Sequence, residues 1–395
     1  MIYNSVLPYS IKENLLAFKG LRSNEKQILK FESMLSEYTG KYAVALDSGL
    51  SAIRIFLKLR GLSEGDEIAV PAYLCDRVGI GLLADGYRLN FIDVDNNYNI
   101  SPDDLAKKIS MQTKALVAVH SYGISCNMPA VKEIADQYRI VVVEDSAQSF
   151  GGRIGNHLLG TLGDVGVYSF GWFKPMTAMG GGALVSGKKE VVEGVKRLAV
   201  ASRDNKDKVV KLFKSMLYVN KGLYFATVVK AYNKISKFQN HREYAEREKQ
   251  KNTGMVCNFN RMQNIQAGIG MVQFEKIKIF NSKRIANTRT IMKGLSYSPL
   301  KFPPDSLSYP ILRLPVLFAD YSYDKLVKAS RSFYEENVDA PILYPFLPEV
   351  LGLDADCPKA KFLSEHTLHL PVHPCLKEPD LDRIVSVTKK IFAKV

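Results

Sequence analysis

Between residues 42 and 186, short apolar runs alternate with longer stretches in which apolar residues recur every three or four positions. The runs cover residues 43–46, 67–71, 89–93, 115–120, 140–144, 165–170 and 183–186. The clearest are continuously apolar instead of alternating, as expected of strands buried on both faces. Strands that alternate with helices predict a mostly parallel sheet covered by helices. A helix over 51–59 puts Ala52, Ile55, Phe56 and Leu59 on one face. Gly49, Leu50 and Ser51 then stand at its N-terminus, where free N–H groups and the helix dipole favour an anion. Ser101-Pro102-Asp103-Asp104 predicts a second helix start, with a capping serine, proline at the first helical position and an acid three residues beyond the cap.

After about residue 190 the texture becomes helical and charged, then returns to short strands such as 310–314. The expected organisation is a large domain over 1–190 and a helical connection over 191–260 that contains a basic insertion, 206–251. A smaller C-terminal α/β domain over 261–395 follows, against which the first forty or so residues are a candidate to pack.

The chemistry concentrates in one segment. The run Ile140-Val141-Val142-Val143 ends in Glu144-Asp145-Ser146-Ala147-Gln148, and Lys174 follows between Ser169-Phe170 and Gly180-Gly181-Gly182. A carboxylate at the end of a buried strand needs a cationic partner. Taken alone, Lys174 reads first as a surface lysine after Trp172-Phe173, while a cap on the next turn is the lesser reading of Asp145 and a loop cap the plain reading of Asn258. Other motifs lie in order around this segment. They are Leu46-Asp47-Ser48-Gly49-Leu50-Ser51-Ala52, the run 65–73, Phe91-Ile92-Asp93-Val94-Asp95, Val119-His120-Ser121-Tyr122-Gly123 and Gly163-Asp164-Val165-Gly166. Asn258-Phe259-Asn260-Arg261-Met262 and Leu370-Pro371-Val372-His373-Pro374 complete the series.

In this order, and over nearly the whole chain outside about 204–251, the motifs resemble the sugar aminotransferases of the DegT/DnrJ/EryC1/StrS family, which are fold-type I pyridoxal-phosphate enzymes. The resemblance implies a large domain with a mostly parallel seven-stranded sheet and a smaller C-terminal α/β domain. It implies that Lys174 binds the cofactor aldehyde and moves the proton, and that Asp145 keeps the ring nitrogen protonated. Ala147 would pack on a ring face and Gln148 would approach the phenolic oxygen. Gly49, Leu50, Ser51 and Ser169 would hold the phosphate. Asn258, with Arg261 close by, would reach in from a neighbouring subunit, which makes a homodimer with shared sites. Two positions depart from the family pattern. Pro175 follows the lysine where asparagine is usual, and Cys75 stands where an aromatic normally stacks on the cofactor. The stack then falls to Cys75 itself, to Tyr73 or to His120. Tyr73, His120, Tyr122 and Arg261 are the candidates for substrate contact, although a histidine that ends a buried strand is as often structural.

The activity so implied is conversion of a keto-sugar, nucleotide-linked, into an amino sugar with glutamate as donor, for surface polysaccharide or secondary-metabolite synthesis. Two rivals stay open: an aminotransferase for a non-nucleotide ring ketone such as a cyclitol, and a non-catalytic binding protein that keeps the fold. A sugar dehydratase is less favoured, because those relatives carry histidine in place of the lysine.

Composition narrows the setting. The 395 residues are 46% hydrophobic and 24% charged, the balance of a globular protein. No secretory signal and no apolar span of about 20 residues is visible, so the expected location is the cytoplasm. Five scattered cysteines without paired spacing point to reduced thiols, with no disulfide and no metal expected. Net charge is +14, of which residues 206–251 supply +8 through twelve Lys/Arg against four Asp/Glu. The remainder suits an anionic small molecule and does not call for nucleic acid. Within the insertion, lysines interleave with Leu223, Tyr224, Phe225, Val228 and Val229, a pattern open to a dimer contact, a lid or peripheral contact with the inner face of a membrane.

Overall fold

The computed structural model describes residues 1–5, 9–20, 26–200, 259–296 and 298–393; the basic insertion 206–251 and Asn258 lie outside the described residues. Two helices, α1 (Ile11–Gly20) and α2 (Lys26–Thr39), precede a seven-stranded sheet. Its strands are β1 (Tyr42–Leu46), β2 (Glu67–Pro71), β3 (Arg88–Ile92), β4 (Thr113–Val119) and β5 (Val141–Asp145). After the small hairpin β6 (Arg153–Ile154) and β7 (His157–Leu158) come β8 (Val165–Ser169) and β9 (Gly182–Ser186). Each apolar run read as a strand is one, displaced by no more than two residues at either end.

The spatial order is β1-β9-β8-β5-β4-β2-β3. All neighbours pair in parallel except β9, which opposes both β1 and β8. Ile68 and Val70 enter a core with α3 (Gly49–Leu59) and α4 (Asp76–Ala84), whereas Ala69 faces the opposite core with α5 (Pro102–Lys108) and α6 (Met128–Gln137). Burial on both faces is what makes these runs continuously apolar. From β2 the chain goes to β3 on one side and then to β4 on the other. The carboxyl ends around that switch are where such sheets open a ligand crevice.

After α7 (Lys189–Leu198), the 31-residue helix α8 (Asn264–Gly294) joins the two lobes. Its first half packs with α1 and α2 against the sheet side, through Ala267 and Met271 beside Phe31 and Leu35. Its last turn, Ile291 with Leu295, enters the small-lobe core. That core holds the antiparallel pair β10 (Arg313–Leu317) and β11 (Thr367–Pro371) with α9 (Tyr323–Glu335) and α12 (Glu378–Ala393). Between β10 and β11, α10 (Leu347–Leu351) packs instead on the large-lobe core, and α11 (Pro358–His366) reaches the same core through Ala360 and Leu363. Residue 261, where the smaller domain was expected to begin, lies just ahead of α8, and α8 runs from the core on the sheet side into the small-lobe core. Of the first forty residues, α2 belongs with the sheet, while Ile2 pairs with Val338 and Asn4 bonds to Asp339 and His369 of the small lobe. The strand expected over 310–314 begins at Arg313, because the Leu312 N–H is taken by Tyr122 O at 2.7 Å and ties that segment to the large lobe.

The strand-end pair Glu144-Asp145 organises the crevice. Glu144 is fully buried and accepts hydrogen bonds from Gly160 N–H (2.6 Å), Leu162 N–H (2.6 Å), Gly163 N–H (2.8 Å) and His120 Nε2 (2.8 Å). His120 Nδ1 accepts from Cys126 N–H at 2.9 Å, which makes Nε2 the protonated nitrogen. The Gly-Asp-Val-Gly motif is the wrapping of this carboxylate. Asp164 accepts from Val142 N–H, and a Cβ on Gly166 would stand 1.7 Å from Gly160 O.

Burial pushes the Glu144 carboxyl up, but His120 and the loop N–H groups overcome it and hold the group below its ordinary 4.5. A depressed acid stabilises the fold above its unfolded value and loses that contribution as pH falls through the folded value. Glu144→Gln is expected to cost about 3 kcal/mol at pH 7, since an amide sets N–H against N–H. Urea melts of both proteins from pH 7 down to pH 3 should show the gap closing only below about 4.5.

Candidate active site

The residues singled out for chemistry converge at the carboxyl ends of β1, β2, β4, β5 and β8. At the end of β1, Ser48 caps α3, its Oγ accepting from Ser51 N–H at 3.0 Å and lying 2.8 Å from Ser51 Oγ. The helix starts at Gly49, two residues earlier than expected, so Gly49 and Leu50 offer N–H groups that have no intrahelical acceptor. Backbone approach is close here. A Cβ on Gly49 would stand 3.2 Å from Ser169 Cβ, and one on Gly182 would stand 2.4 Å from Gly49 N. Ser169, at the end of β8, thus sits beside the helix terminus.

Lys174 lies in the turn that follows. A Cβ on Gly171 would stand 3.7 Å from both Lys174 Cγ and Ser169 Oγ, so lysine and serine flank one point. Burial holds the Lys174 amine below its ordinary value; Cys75 and Asp145 pull it back up, while Arg313 and Arg77 lower it further. Asp145 is 5% exposed and is raised by burial against the bond from Ala147 N–H (2.9 Å) and the charges of Lys174 and His120. No cation stands within ion-pairing distance of it among the described residues. Pro175, the departure after the lysine, gives its carbonyl to Arg284 Nη2 of α8 at 2.8 Å. Arg284 is 3% exposed and also bonds Asn281, so a buried guanidinium clamps the lysine turn.

Tyr73, His120 and Tyr122 were the pocket candidates, and all three are enclosed. Both ring nitrogens of His120 are occupied by Glu144 and Cys126, which leaves none for a substrate and makes it structural. His369 Nδ1 faces Pro341 O at 2.9 Å, so its Nε2 accepts from Tyr122 OH (2.6 Å). Tyr122 in turn accepts from Tyr73 OH at 2.5 Å. Burial lowers the His369 imidazole to about 3, consistent with a neutral acceptor at the end of this chain. Gln148 Oε1 accepts from Tyr122 N–H at 3.2 Å, and Ala147 is half-buried next to Asp145. Tyr98, Tyr122 and Tyr344 all hold left-handed backbone, at φ 65°, 58° and 56°, which bulky residues adopt only when their surroundings enforce it. Tyr73 is therefore turned into a tyrosine cluster. The aromatic whose hydroxyl feels the charges of Arg313, Cys75 and Asp145 is Tyr344, on the segment before α10.

Arg261 is not brought to this cluster within the chain. Its guanidinium pairs with Glu32 at 2.6 Å and bonds Ala45 O, pinning the chain to β1. Tyr344, Arg313, Arg284 and Ser48 were not singled out from sequence. Only Ser48 carried a legible signal, a cap one residue before the glycine; the others arrive from over 100 residues away in sequence.

The cluster fits pyridoxal phosphate on three counts. A buried carboxylate lacks a cation among the described residues, a half-buried lysine sits near it with its amine pKa lowered by burial, and a helix terminus with free N–H groups lies beside two serine hydroxyls. An arrangement of this kind can bind an anion, hold a proton at Asp145 and accept or deliver one at Lys174 Nζ.

The family model described as the DegT/DnrJ/EryC1/StrS aminotransferase family matches residues 13–389. GDP-perosamine synthase of Vibrio cholerae is 25% identical over 94% of this chain and 92% of its own. The dTDP-3-amino-3,6-dideoxy-alpha-D-galactopyranose transaminase of Aneurinibacillus thermoaerophilus is 24% identical over 92% of this chain and 90% of its own. Among solved structures, Helicobacter pylori PseC, an aminotransferase involved in the biosynthesis of pseudoaminic acid, matches 100% of both chains with a TM-score of 0.80 at 21% identity. A likeness at that identity establishes the fold, an α/β architecture with the large mostly parallel sheet expected from the sequence.

The depressed pKa of Lys174 has a measurable consequence. In the cofactor-free protein, formaldehyde with a mild borohydride should methylate Lys174 at a pH below that needed by exposed lysines. Asp145→Asn removes a charge that raises the amine, so the onset should move to still lower pH. Peptide mass spectrometry across pH 6–10 reads both, and an onset for Lys174 matching that of surface lysines would contradict the assignment.

Proposed function

Because the chain belongs to the DegT/DnrJ/EryC1/StrS aminotransferase family, we propose that it moves an amino group from glutamate to the ketone of a nucleotide-linked sugar. It is a pyridoxal-phosphate enzyme of fold type I, and amino-sugar biosynthesis is the work of the family. Support for the nucleotide-linked acceptor comes from the GDP- and dTDP-sugar names of two relatives that align over most of both chains. The product would serve a surface polysaccharide or a secondary metabolite.

When bound, pyridoxal phosphate supplies an aldehyde that takes up the amine and a ring that withdraws electrons from the carbon losing its proton. The residues of this chain do the rest. Gly49 and Leu50 N–H groups, with the Ser51 and Ser169 hydroxyls, would hold the phosphate at the α3 terminus. Asp145, buried and short of a cation, would hold a proton on the ring nitrogen; a cation brought against it lowers its pKa again and restores the carboxylate. Lys174 would carry the aldehyde at rest. During turnover its amine, made less basic by burial, would take the proton from the donor carbon and return it to the neighbouring one. Ala147 leaves room at a ring face. A homodimer in which Asn258 completes the neighbour's phosphate site is part of the same proposal. Among the described residues no helix is long and apolar enough to cross a membrane.

The observation that carries this reading is the meeting of half-buried Lys174 and buried Asp145 at the strand-end crevice, with Ser169 beside the lysine. Lys174→Ala should abolish multiple turnover and the borohydride-fixed cofactor while the protein still folds. Asp145→Asn should slow glutamate-dependent amination by more than about tenfold, roughly 1.4 kcal/mol of barrier. Product mass spectrometry over a panel of nucleotide keto-sugars and free ring ketones tests the acceptor. Preferential amination of a cyclitol ketone would replace the nucleotide sugar, and near-wild-type turnover by Lys174→Ala would remove the lysine from the mechanism.

A further inference from the structure

Asn281, Arg284 and Asn287 recur along one side of α8, and all three are buried. Asn281 Nδ2 donates to Phe150 O at 3.1 Å, on the loop that leaves Asp145. Arg284 Nη2 donates to Pro175 O at 2.8 Å, in the residue that follows Lys174. The two side chains are also joined to each other, Arg284 Nη1 donating to Asn281 Oδ1 at 2.9 Å. Asn287 Nδ2 reaches a different place, Val372 O (3.3 Å) and His373 O (3.0 Å) of the small lobe.

The loops after Asp145 and Lys174 are therefore linked through a pair of side chains on one helix. They also meet at Phe150 and Phe170, whose ring centroids stand 5.8 Å apart. The bridge is closely fitted. Gly151 holds φ 81°, and a Cβ there would stand 2.6 Å from Asn281 Nδ2, so the Asp145 loop is shaped to admit the amide. Among the described residues no carboxylate pairs with the Arg284 guanidinium, and its Nε has no hydrogen-bond partner. A buried, unpaired cation is costly, and a single carbonyl could be held by a neutral amide. What the guanidinium adds is a rigid planar fork that reaches two acceptors at a fixed separation. The charges that bear most on Lys174 are those of Cys75, Asp145, Arg313 and Arg77, not that of Arg284. Its influence on the lysine is one of position.

Resting on the aminotransferase reading above, we infer that Asn281 and Arg284 act together as positioning residues that fix Lys174 relative to Asp145. One cofactor ring has to satisfy both groups, its aldehyde at the lysine and its ring nitrogen at the aspartate, so their separation has to match the ring. A misplacement of about 1 Å at a reacting group can slow a reaction about a hundredfold. The two residues touch neither cofactor nor substrate, and they act through the carbonyls of Phe150 and Pro175.

The test uses the cofactor-loaded full chain and glutamate as the probe. Two quantities are read: the rate at which saturating glutamate converts the bound cofactor to its amine form, and the pH midpoint of the bound cofactor's absorbance before glutamate is added. Arg284→Met should slow the conversion at least about thirtyfold, with Arg284→Lys and Asn281→Ala each slowing it at least about tenfold, while half-saturating glutamate stays within about threefold of wild type. The midpoint should move by at least about half a pH unit in the same variants, because the environment of the Lys174 amine changes. The Arg284→Lys, Asn281→Ala double variant should lose little more than either single one, as expected of residues that act as a unit. Asn287→Ala, which removes a buried amide of the same helix, should lower the melting temperature without moving the midpoint. Wild-type rate and midpoint in Arg284→Lys and Asn281→Ala would overturn the inference, whether or not their melting temperatures fall. An equal midpoint shift in Asn287→Ala would overturn it as well, since any loosening of α8 would then suffice, and fully additive losses in the double variant would overturn the joint action. Arg284→Lys and Asn281→Ala carry the test if Arg284→Met does not fold. Failure of the underlying reading looks different: the wild-type cofactor would not be converted by any amino acid, or Lys174→Ala would keep the same pH-dependent absorbance.

Discussion

A carboxylate taken out of water must be met by donors or by a cation, and this protein buries two of them side by side at the end of β5. Successive strand residues point to opposite faces, so Glu144 and Asp145 meet different surroundings. Glu144 receives three loop N–H groups and an imidazole N–H, and is complete within the chain. Among the described residues, Asp145 receives one N–H on its carboxylate and no cation. The completed carboxylate shapes the 160–163 loop and locks His120; the incomplete one faces the crevice where Lys174 and Cys75 stand. Structural and functional demands are thereby divided between neighbouring residues of one strand.

The lysine is held with similar economy of contact. Its turn carries proline where a more permissive residue is usual in the family, and the Pro175 carbonyl is bound by Arg284 from the long helix α8. Burial lowers that guanidinium to about 10, still protonated at neutral pH, so the clamp keeps its charge. Because α8 also enters the small-lobe core, the position of Lys174 is coupled mechanically to the lobe that presents Arg313.

The left-handed tyrosines belong to the same economy. A non-glycine residue at positive φ costs of order 1–3 kcal/mol, and three of them meet around Tyr73 with their rings 5.3 to 6.3 Å apart. The hydrogen-bonded chain from Tyr73 through Tyr122 to His369 joins the ends of β2 and β4 to β11 of the small lobe. Strain of this kind persists when ring packing and hydrogen bonds outweigh it, and here it brings Tyr344 near Cys75, where family members usually carry an aromatic of their own.

The sequence by itself determined the strands, the cap at Ser101 and the placing of Gly49, Leu50 and Ser51 at the start of a helix, because each is written in contiguous residues or a local period. The Gly-Asp-Val-Gly motif was legible as a motif but not as the envelope of Glu144, since its meaning lies in backbone N–H groups that approach only after β5 and β8 pair. His120, Tyr73 and Tyr122 looked like pocket residues because residue type and strand-end position are local, whereas the hydrogen-bond partners that occupy them come from Cys126, Glu144 and His369. Arg313, Arg284 and Tyr344 had no local signature at all. An arginine in an apolar strand is defined by what reaches it, and only the docking of the small lobe, Asn4 and α8 decides that.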